Sequence, residues 1–215
     1  MPFDLAQLPA QFLDALRTTS RLETAAVVTT VACVWLAARN SIWNFPVAIV
    51  ACVLYFVFLL EKKYYSDAGL QIAFIILAVY GWWAWLHRDG MAAGASAEQP
   101  ITRTPLWLWA LLGAFAVAYA GGIGYLLAHY TDAAVPYYDS STTAVSLVAQ
   151  YLLSRRKIEN WPLWIGVDVV YVGMYWHRDA ALSSLLYALL TGLAAYGYWE
   201  WRREQATQAP LSAPA

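Results

Sequence analysis

The sequence predicts an all-α membrane protein with seven transmembrane helices, and three observations carry this prediction. The chain is 61% hydrophobic and 13% charged, whereas soluble domains have about 45–50% apolar and about 25% charged residues. Long, nearly charge-free runs recur along the whole chain. These runs lack the strict alternation of apolar and polar residues that a membrane β-barrel requires, so helices are the remaining way to span lipid.

The N-terminal segment 1–21 precedes the first predicted span. Its sequence "MPFDLAQLPAQFLDALRTT" contains Asp4 and Asp14 and lacks the basic start of a cleavable signal. Apolar residues such as Phe3, Leu5 and Leu8 recur through it. We therefore expect a short helix that lies at the membrane interface.

Seven apolar runs follow, and each is predicted to be one helix: 24–38, 46–60, 68–86, 105–128, 142–153, 162–176 and 182–201. A span of about 30 Å of hydrocarbon takes roughly 20 residues, so the polar flanks of the shorter runs must reach the interface. The Gly/Ala/Ser/Pro-rich segment 89–104 is predicted to be a flexible loop, and the polar tail 204–215 is predicted to be disordered.

The chain contains an internal repeat with an offset of 116 residues. The shift places Asn44 on Asn160, Gly81 on Gly197 and Trp85 on Trp201, and such residues match by chance less often than Leu or Val. The repeats cover residues 22–88 and 139–203, with three helices each. The helix at 105–128 links them and gives both repeats the same orientation in the membrane, so the plan is 3+1+3 with parallel repeats.

Lys and Arg are more numerous on the side that holds the C-terminus and the loops after the first, third and fifth helices. Positive charge marks the cytoplasmic side of a membrane protein. The sequence therefore predicts an N-terminus outside the cell and a cytoplasmic C-terminus.

The stretch "NWPLWIGVDVVYVGMYW", residues 160–176, contains an acid in an apolar helix. A charge at membrane depth costs about 2.5–3.5 kcal/mol on insertion scales, so it faces the protein interior or a wet cavity. Helical spacing places Asp168 on one face with four aromatic residues, which are Trp161, Trp164, Tyr171 and Tyr175. We expect this face to line a ligand cavity.

The first repeat lacks this set of side chains. The equivalents of Trp164 and Asp168 are Ala48 and Cys52, whereas Tyr171 has its equivalent in Tyr55. The scaffold is thus predicted to be symmetric and the site one-sided. Cys52 and Cys33 are interpreted as apolar packing residues.

Several further polar and aromatic residues are candidates for ligand contact. Gln71 and Gln150 lie within predicted helices, and Tyr187 is the equivalent of Gln71 in the second repeat. Asn44 and Asn160 each precede a proline by two residues, so helix N-caps and ligand contacts are both open interpretations. The predicted substrate-binding set is Trp164, Asp168, Trp161, Asn160, Gln71, Asn44, Gln150, Tyr171, Tyr187 and Tyr55, with Trp161 equally consistent with an interfacial anchor.

Aromatic faces stack on flat rings and attract cations, and a buried carboxylate is offset by a positive ligand or accepts hydrogen bonds from hydroxyls. The composite ligand is a flat, cationic heteroaromatic ring with a ribose. The sequence contains no phosphate-binding loop, no His spacing typical of a metal site and no basic stripe for nucleic acid. We expect no enzyme activity, no cofactor and no metal.

Residues 43–85 and 160–176 resemble the PnuC family of bacterial vitamin transporters through the elements WNFP, QxxFxxLxxYGWWxW and NWPLWxxxD. The resemblance covers roughly residues 22–203. It implies a full-length SWEET-like fold in the bacterial inner membrane, a homo-oligomer such as a trimer, and facilitated diffusion of nicotinamide riboside, made net by a separate cytoplasmic kinase. Thiamine or, less well, riboflavin transport and a SWEET-type sugar transporter are the alternatives.

Overall fold

Seven α-helices make up the described part of the chain in the computed structural model, which describes residues 20–61, 65–87, 100–131, 135–177 and 181–208. The helices are α1 (Arg21–Ala38), α2 (Asn44–Glu61), α3 (Tyr65–Leu86), α4 (Leu106–Tyr130), α5 (Pro136–Ser154), α6 (Asn160–His177) and α7 (Ala181–Gln208). Each predicted run matches one of these helices, and residue 105 lies one position ahead of α4. The prediction of an all-α protein is confirmed.

Four helices, α1 to α4, have the length and apolar composition of membrane spans. Large apolar side chains on their outer faces are exposed, among them Val28, Ile76 and Val117, as lipid-facing residues would be. The later helices are more polar: α5 is rich in Ser and Thr, α6 contains Asp168, and α7 ends in a charged segment. The chain is therefore a membrane protein with several spanning helices.

Six helices form a closed ring, in the order α1, α2, α3, α5, α6, α7 and back to α1. Among the described helices, α4 packs against α5 alone and lies outside the ring. Its contact with α5 is close because Gly124 leaves room for the Tyr137 ring, and the Ser140 hydroxyl donates to the Ala120 carbonyl oxygen at 2.9 Å. Within the ring, α1–α3 meet α5–α7 along two seams, α3 with α5 and α7 with α1.

The α1–α2 and α5–α6 turns have the same geometry at an offset of 116 residues. Asn40 and Arg156 both take a left-handed conformation, with φ of 53° and 49°. The next residues, Ser41 and Lys157, donate their backbone N–H groups to the carbonyl oxygens five residues earlier, each at 2.9 Å. This is a Schellman helix end, and it normally uses glycine because other residues are strained there. The sequence repeat is thus also a repeat of backbone conformation.

The end of the segment predicted as a flexible loop is ordered. The segment 100–105 lies along the α5–α6 turn: Thr102 exchanges backbone hydrogen bonds with Arg156 and Ile158, and Ile101 is buried. Glu159 accepts from both the backbone N–H and the hydroxyl of Thr104, at 3.0 and 2.8 Å. The flexible-loop prediction is wrong for residues 100–104, because Thr102 pairs with the α5–α6 turn and Glu159 binds Thr104. Residues 89–99 lie outside the described ranges.

The last helix also extends beyond its predicted end. The Glu204 carboxylate accepts a hydrogen bond from the Asn40 amide at 2.7 Å, and the Gln205 amide donates to the Ile101 carbonyl oxygen at 3.1 Å. These contacts hold the end of α7 against the α1–α2 turn and the segment 100–105, so the disorder prediction is wrong for residues 204–208. Residues 209–215 and the predicted interfacial helix within 1–19 lie outside the described residues.

Candidate functional site

Asp168 is buried in the middle of α6, with 6% of its surface exposed. Among the described residues, its carboxylate accepts no hydrogen bond and forms no ion pair. A buried carboxylate without a donor is costly, whereas one that receives a cation or several hydrogen bonds is stabilised. Asp168 is therefore a side chain that a positively charged or hydrogen-bonding ligand would stabilise.

Three tyrosines lie next to this acid and form the tyrosine cluster: Tyr171, Tyr175 and Tyr187. The rings of Tyr171 and Tyr187 are 4.8 Å apart between centroids, and those of Tyr175 and Tyr187 are 5.4 Å apart and nearly parallel. The Tyr187 hydroxyl interacts electrostatically with Asp168 and with Tyr55 of α2. Tyr171 of α6 and Tyr187 of α7 thus lie beside the predicted acid, and Tyr55 of α2 lies beside Tyr187.

The register of α5 against α6 places Gln150 at the same level along the helices as Trp164. The Tyr171 hydroxyl lies 3.2 Å from the Thr142 hydroxyl, which fixes how the two antiparallel helices are aligned. At 1.5 Å per residue, Gln150 and Trp164 both lie about 10–12 Å from that contact. Gln150 is 9% exposed, and no described residue accepts from or donates to its side-chain amide. Like Asp168, it has hydrogen-bonding capacity that the protein does not use.

Four rings pack at the turn end of the helix ring and form the aromatic row: Phe45, Trp85, Trp201 and Trp161. Phe45 meets Trp85 edge to face at 4.9 Å, and Trp161 meets Trp201 edge to face at 5.5 Å. Trp85 and Trp201 are 6.4 Å apart and join the two pairs. Trp161, which the sequence places on the ligand face, is 2% exposed in this row. Trp164, one turn further along α6, packs against the edge of this cluster and is partly exposed.

The two asparagines hold the turns together. Asn44 and Asn160 donate their side-chain amides to the carbonyl oxygens of Ser41 and Lys157, at 2.6 and 2.7 Å. An N-cap would instead accept through Oδ1 from a backbone N–H, and these Oδ1 atoms are buried without a partner. The N-cap interpretation is therefore wrong. Both residues are at most 1% exposed, so a ligand reaches them only if the helices move.

The remaining candidate, Gln71, lies half-buried in the first third of α3, and it makes no hydrogen bond to any described residue. The structure also adds two residues that were absent from the predicted set. Tyr175 completes the tyrosine cluster, and its position fourteen residues after Trp161 on the same helix face was the available signal. Thr142 orients the Tyr171 hydroxyl, and nothing in the sequence distinguishes it from the other hydroxyl residues of α5.

The model of the nicotinamide mononucleotide transporter family matches residues 20–203. The chain belongs to this family. The resemblance to PnuC proteins is thus confirmed, and membership of a transporter family confirms that transport rather than catalysis is the activity class.

Two similar transporters and one crystal structure agree with this family membership. The nicotinamide riboside transporter PnuC of Escherichia coli (strain K12) is 26% identical over 88% of this chain and 90% of its own length. The riboflavin/roseoflavin transporter RibM of Streptomyces davaonensis is 28% identical over 76% of both proteins. The crystal structure of the vitamin B3 transporter PnuC superposes with a TM-score of 0.70, at 26% identity, over 94% of this chain and 90% of that one.

Proposed function

We propose that this protein transports nicotinamide riboside across the membrane by facilitated diffusion. The observation that carries the proposal is Asp168, a buried carboxylate beside the tyrosine cluster that has no hydrogen-bond or ion-pair partner in the described part of the chain. A pyridinium ring supplies the positive charge that offsets the carboxylate and a flat surface for aromatic contact. The names of the PnuC relatives support the same substrate.

In the proposed complex the substrate lies between Asp168 and Trp164. The tyrosine cluster and Trp164 contact the ring, and Gln150 with Gln71 binds the carboxamide and ribose hydroxyls. Tyr55 lines the path on the side of the first repeat. Asn44, Asn160 and Trp161 join the site when the turn end opens, since they are buried in the present conformation.

The charge of the site favours the riboside over its phosphate ester, although the family description names the mononucleotide. Every described Lys and Arg lies at a helix end, between helices or in the last seven residues of α7. A phosphate near Asp168 would therefore meet a like charge in a poorly screened interior. Phosphorylation by a cytoplasmic kinase would then trap the product, because the ester no longer fits the site.

The proposed topology has seven spans in a 3+1+3, SWEET-like arrangement, with repeats at 22–88 and 139–203. The closed ring of six helices, the external α4 and the duplicated turns support it. The N-terminus then lies outside a bacterial inner membrane and the turn end faces the cytoplasm, in accordance with the excess of Lys and Arg there. A homo-oligomer such as a trimer belongs to the same proposal.

Calorimetric titration of the purified protein tests the substrate. Nicotinamide riboside, nicotinamide mononucleotide, thiamine, riboflavin and glucose are compared under one set of conditions. We expect heat of binding for the riboside and at least tenfold weaker binding of the mononucleotide. Stronger binding of the mononucleotide, or binding of glucose alone, would exclude the proposal.

Riboflavin transport is the second candidate because RibM matches three quarters of the chain. Riboflavin is neutral and bulky, so it leaves the charge of Asp168 without compensation. Saturable binding of riboflavin that Asp168→Asn does not weaken would favour this candidate.

A further inference from the structure

We propose that the aromatic row is the closed gate of the transport path at the turn end, and that Trp85 and Trp201 hold it shut through two reciprocal hydrogen bonds. The proposal rests on transport as the activity but not on the identity of the substrate. It assigns Trp85 and Trp201 as positioning residues of the transport cycle.

The aromatic row closes the centre of the six-helix ring. Its aromatic side chains come from α2, α3, α6 and α7, and its hydrogen bonds end on α1 and α5, so all six helices contribute. Phe45 and Trp201 are fully buried, and Trp161 and Trp85 are 2% and 8% exposed. A solute on the axis therefore has no way through the row while its members stay in contact.

The position of the row makes it a barrier between the site and the turns. Trp161 precedes Asp168 by seven residues in α6, which is about 10 Å along the helix. Phe45 precedes Cys52, the equivalent of Asp168, by the same seven residues in α2. A ligand at Asp168 consequently reaches the turn end only when the row separates.

Two hydrogen bonds tie the row across the seams. The Trp85 indole N–H of α3 donates to the Ser154 carbonyl oxygen of α5 at 3.2 Å. The Trp201 indole N–H of α7 donates to the Ala37 carbonyl oxygen of α1 at 3.0 Å. Trp85 and Trp201 are 116 residues apart, and each bond runs from the last helix of one repeat to the first helix of the other.

Rocking of one repeat against the other separates both seams, so one motion breaks both bonds. Polar atoms in the row and in the turns beside it gain hydrogen bonds when the row opens. Among the described residues, the buried Trp161 indole N–H has no acceptor, and the buried Oδ1 atoms of Asn44 and Asn160 have no donor. Water or ligand satisfies these atoms once the row separates. The closed gate is thus held by the reciprocal bonds against groups that favour opening.

The test measures access to Cys52 from the turn end. Cys33 is changed to Ser, so that Cys52 is the single thiol, and a membrane-impermeant cationic thiol reagent is applied to each face of reconstituted vesicles in turn. Trp85→Phe and Trp201→Phe keep a ring and remove the indole donor. Their matched controls are Trp83→Phe and Trp199→Phe, whose side chains are 54% and 53% exposed on the same helices.

We expect Trp85→Phe and Trp201→Phe each to raise the labelling rate of Cys52 at least about fivefold from the face of the turn end, with no increase from the other face. Labelling at the rate of the controls, or an increase in only one of the two, overturns the proposal. Because labelling uses no substrate, a failed riboside titration leaves this result intact. If a Phe variant does not fold, Gly197→Ala separates the row by adding one methyl group, and control-rate labelling of that folded variant would equally overturn it.

Discussion

Gly197→Ala perturbs the aromatic row without removing any of its rings. A Cβ atom at residue 197 would lie 2.6 Å from two atoms of the Trp161 ring, whereas ordinary carbon contacts begin near 3.5 Å. The ring has no free space beside it, because it is 2% exposed and packs edge to face on Trp201 at 5.5 Å. The helix or the ring must therefore shift by about 1 Å.

The expected magnitude follows from two opposing effects. Alanine is preferred over glycine in a helix by about 1 kcal/mol, and overpacking a filled core costs about 1–3 kcal/mol. The matched control is Gly192→Ala on the same helix, where a Cβ meets no atom within 4 Å. The control gains the helix preference of alanine without any overpacking. The free energy of unfolding should therefore differ between the two variants by about 1–3 kcal/mol, the cost of overpacking.

Thermal unfolding in one detergent, read by intrinsic tryptophan fluorescence, measures this difference. For a chain of this size, 1 kcal/mol corresponds to about 2–4 °C, so Gly197→Ala should melt several degrees below Gly192→Ala. Gly81→Ala should behave like Gly197→Ala, since its Cβ would meet the Phe45 ring. Equal melting temperatures of the Gly197 and Gly192 variants would show that the row is not tightly packed.

Three further predictions concern the site and the turns. Asp168→Asn should weaken riboside binding in calorimetry by roughly ten- to a hundredfold, as expected for loss of about 1.5–3 kcal/mol from one charged contact. Its melting temperature should stay level or rise, because a buried charge is gone. Unchanged affinity would show that Asp168 does not bind the substrate. Trp164→Ala should weaken binding similarly through loss of about 1–3 kcal/mol of stacking, whereas Trp199→Ala, on an exposed side chain, should bind as the unmodified protein does. Glu159→Ala should lower the free energy of unfolding by about 1–3 kcal/mol, because Thr104 loses both bonds. Glu200→Ala, whose 3.9 Å ion pair with Arg203 is partly exposed, should lower it by less than about 1 kcal/mol. Equal losses in thermal unfolding would mean that the segment 100–105 does not depend on Glu159.

The helices and the position of the acid could be predicted from the sequence because burial in lipid acts on each residue independently. An apolar run of sufficient length predicts a membrane helix, and a charged residue such as Asp168 within the run predicts a side chain that faces the protein interior. The shared helix face likewise predicted that Tyr171 and Asp168 lie together, and the 116-residue repeat predicted equivalent turns.

The contacts of the segment 100–105 and of the α7 extension could not be predicted in this way. Most residues of these segments are polar or proline, which is the composition of a loop or a tail. Their order comes from partners distant in sequence, such as Glu159 for Thr104 and Asn40 for Glu204. Trp161 shows the same limit within a helix. Its spacing places it on the Asp168 face of α6. The absence of a side chain at Gly197 of α7 leaves room for the Trp161 ring, which packs there in the aromatic row.

The distribution of identities between the repeats now has a physical explanation. Some equivalent residues are identical because they have the same role in the two halves of the turns or of the gate. These pairs are Asn44 with Asn160, Gly81 with Gly197 and Trp85 with Trp201. A gate that one rocking motion opens needs equal halves, since an unequal seam would separate first and leave the other closed.

The site has the opposite requirement, because a single asymmetric ligand on the axis meets different chemistry on its two sides. The positions that differ are Cys52 against Asp168, Ala48 against Trp164 and Gln71 against Tyr187, and each pair supplies at least one residue of the proposed complex. Exchange of Cys52 for Asp would place a second carboxylate in the ring and make the interior symmetric. Like charges in so poorly screened a space repel, so the two-carboxylate interior would favour protonation of one acid over binding of one cation. One acid in a twofold scaffold is thus the arrangement that a singly charged ligand requires.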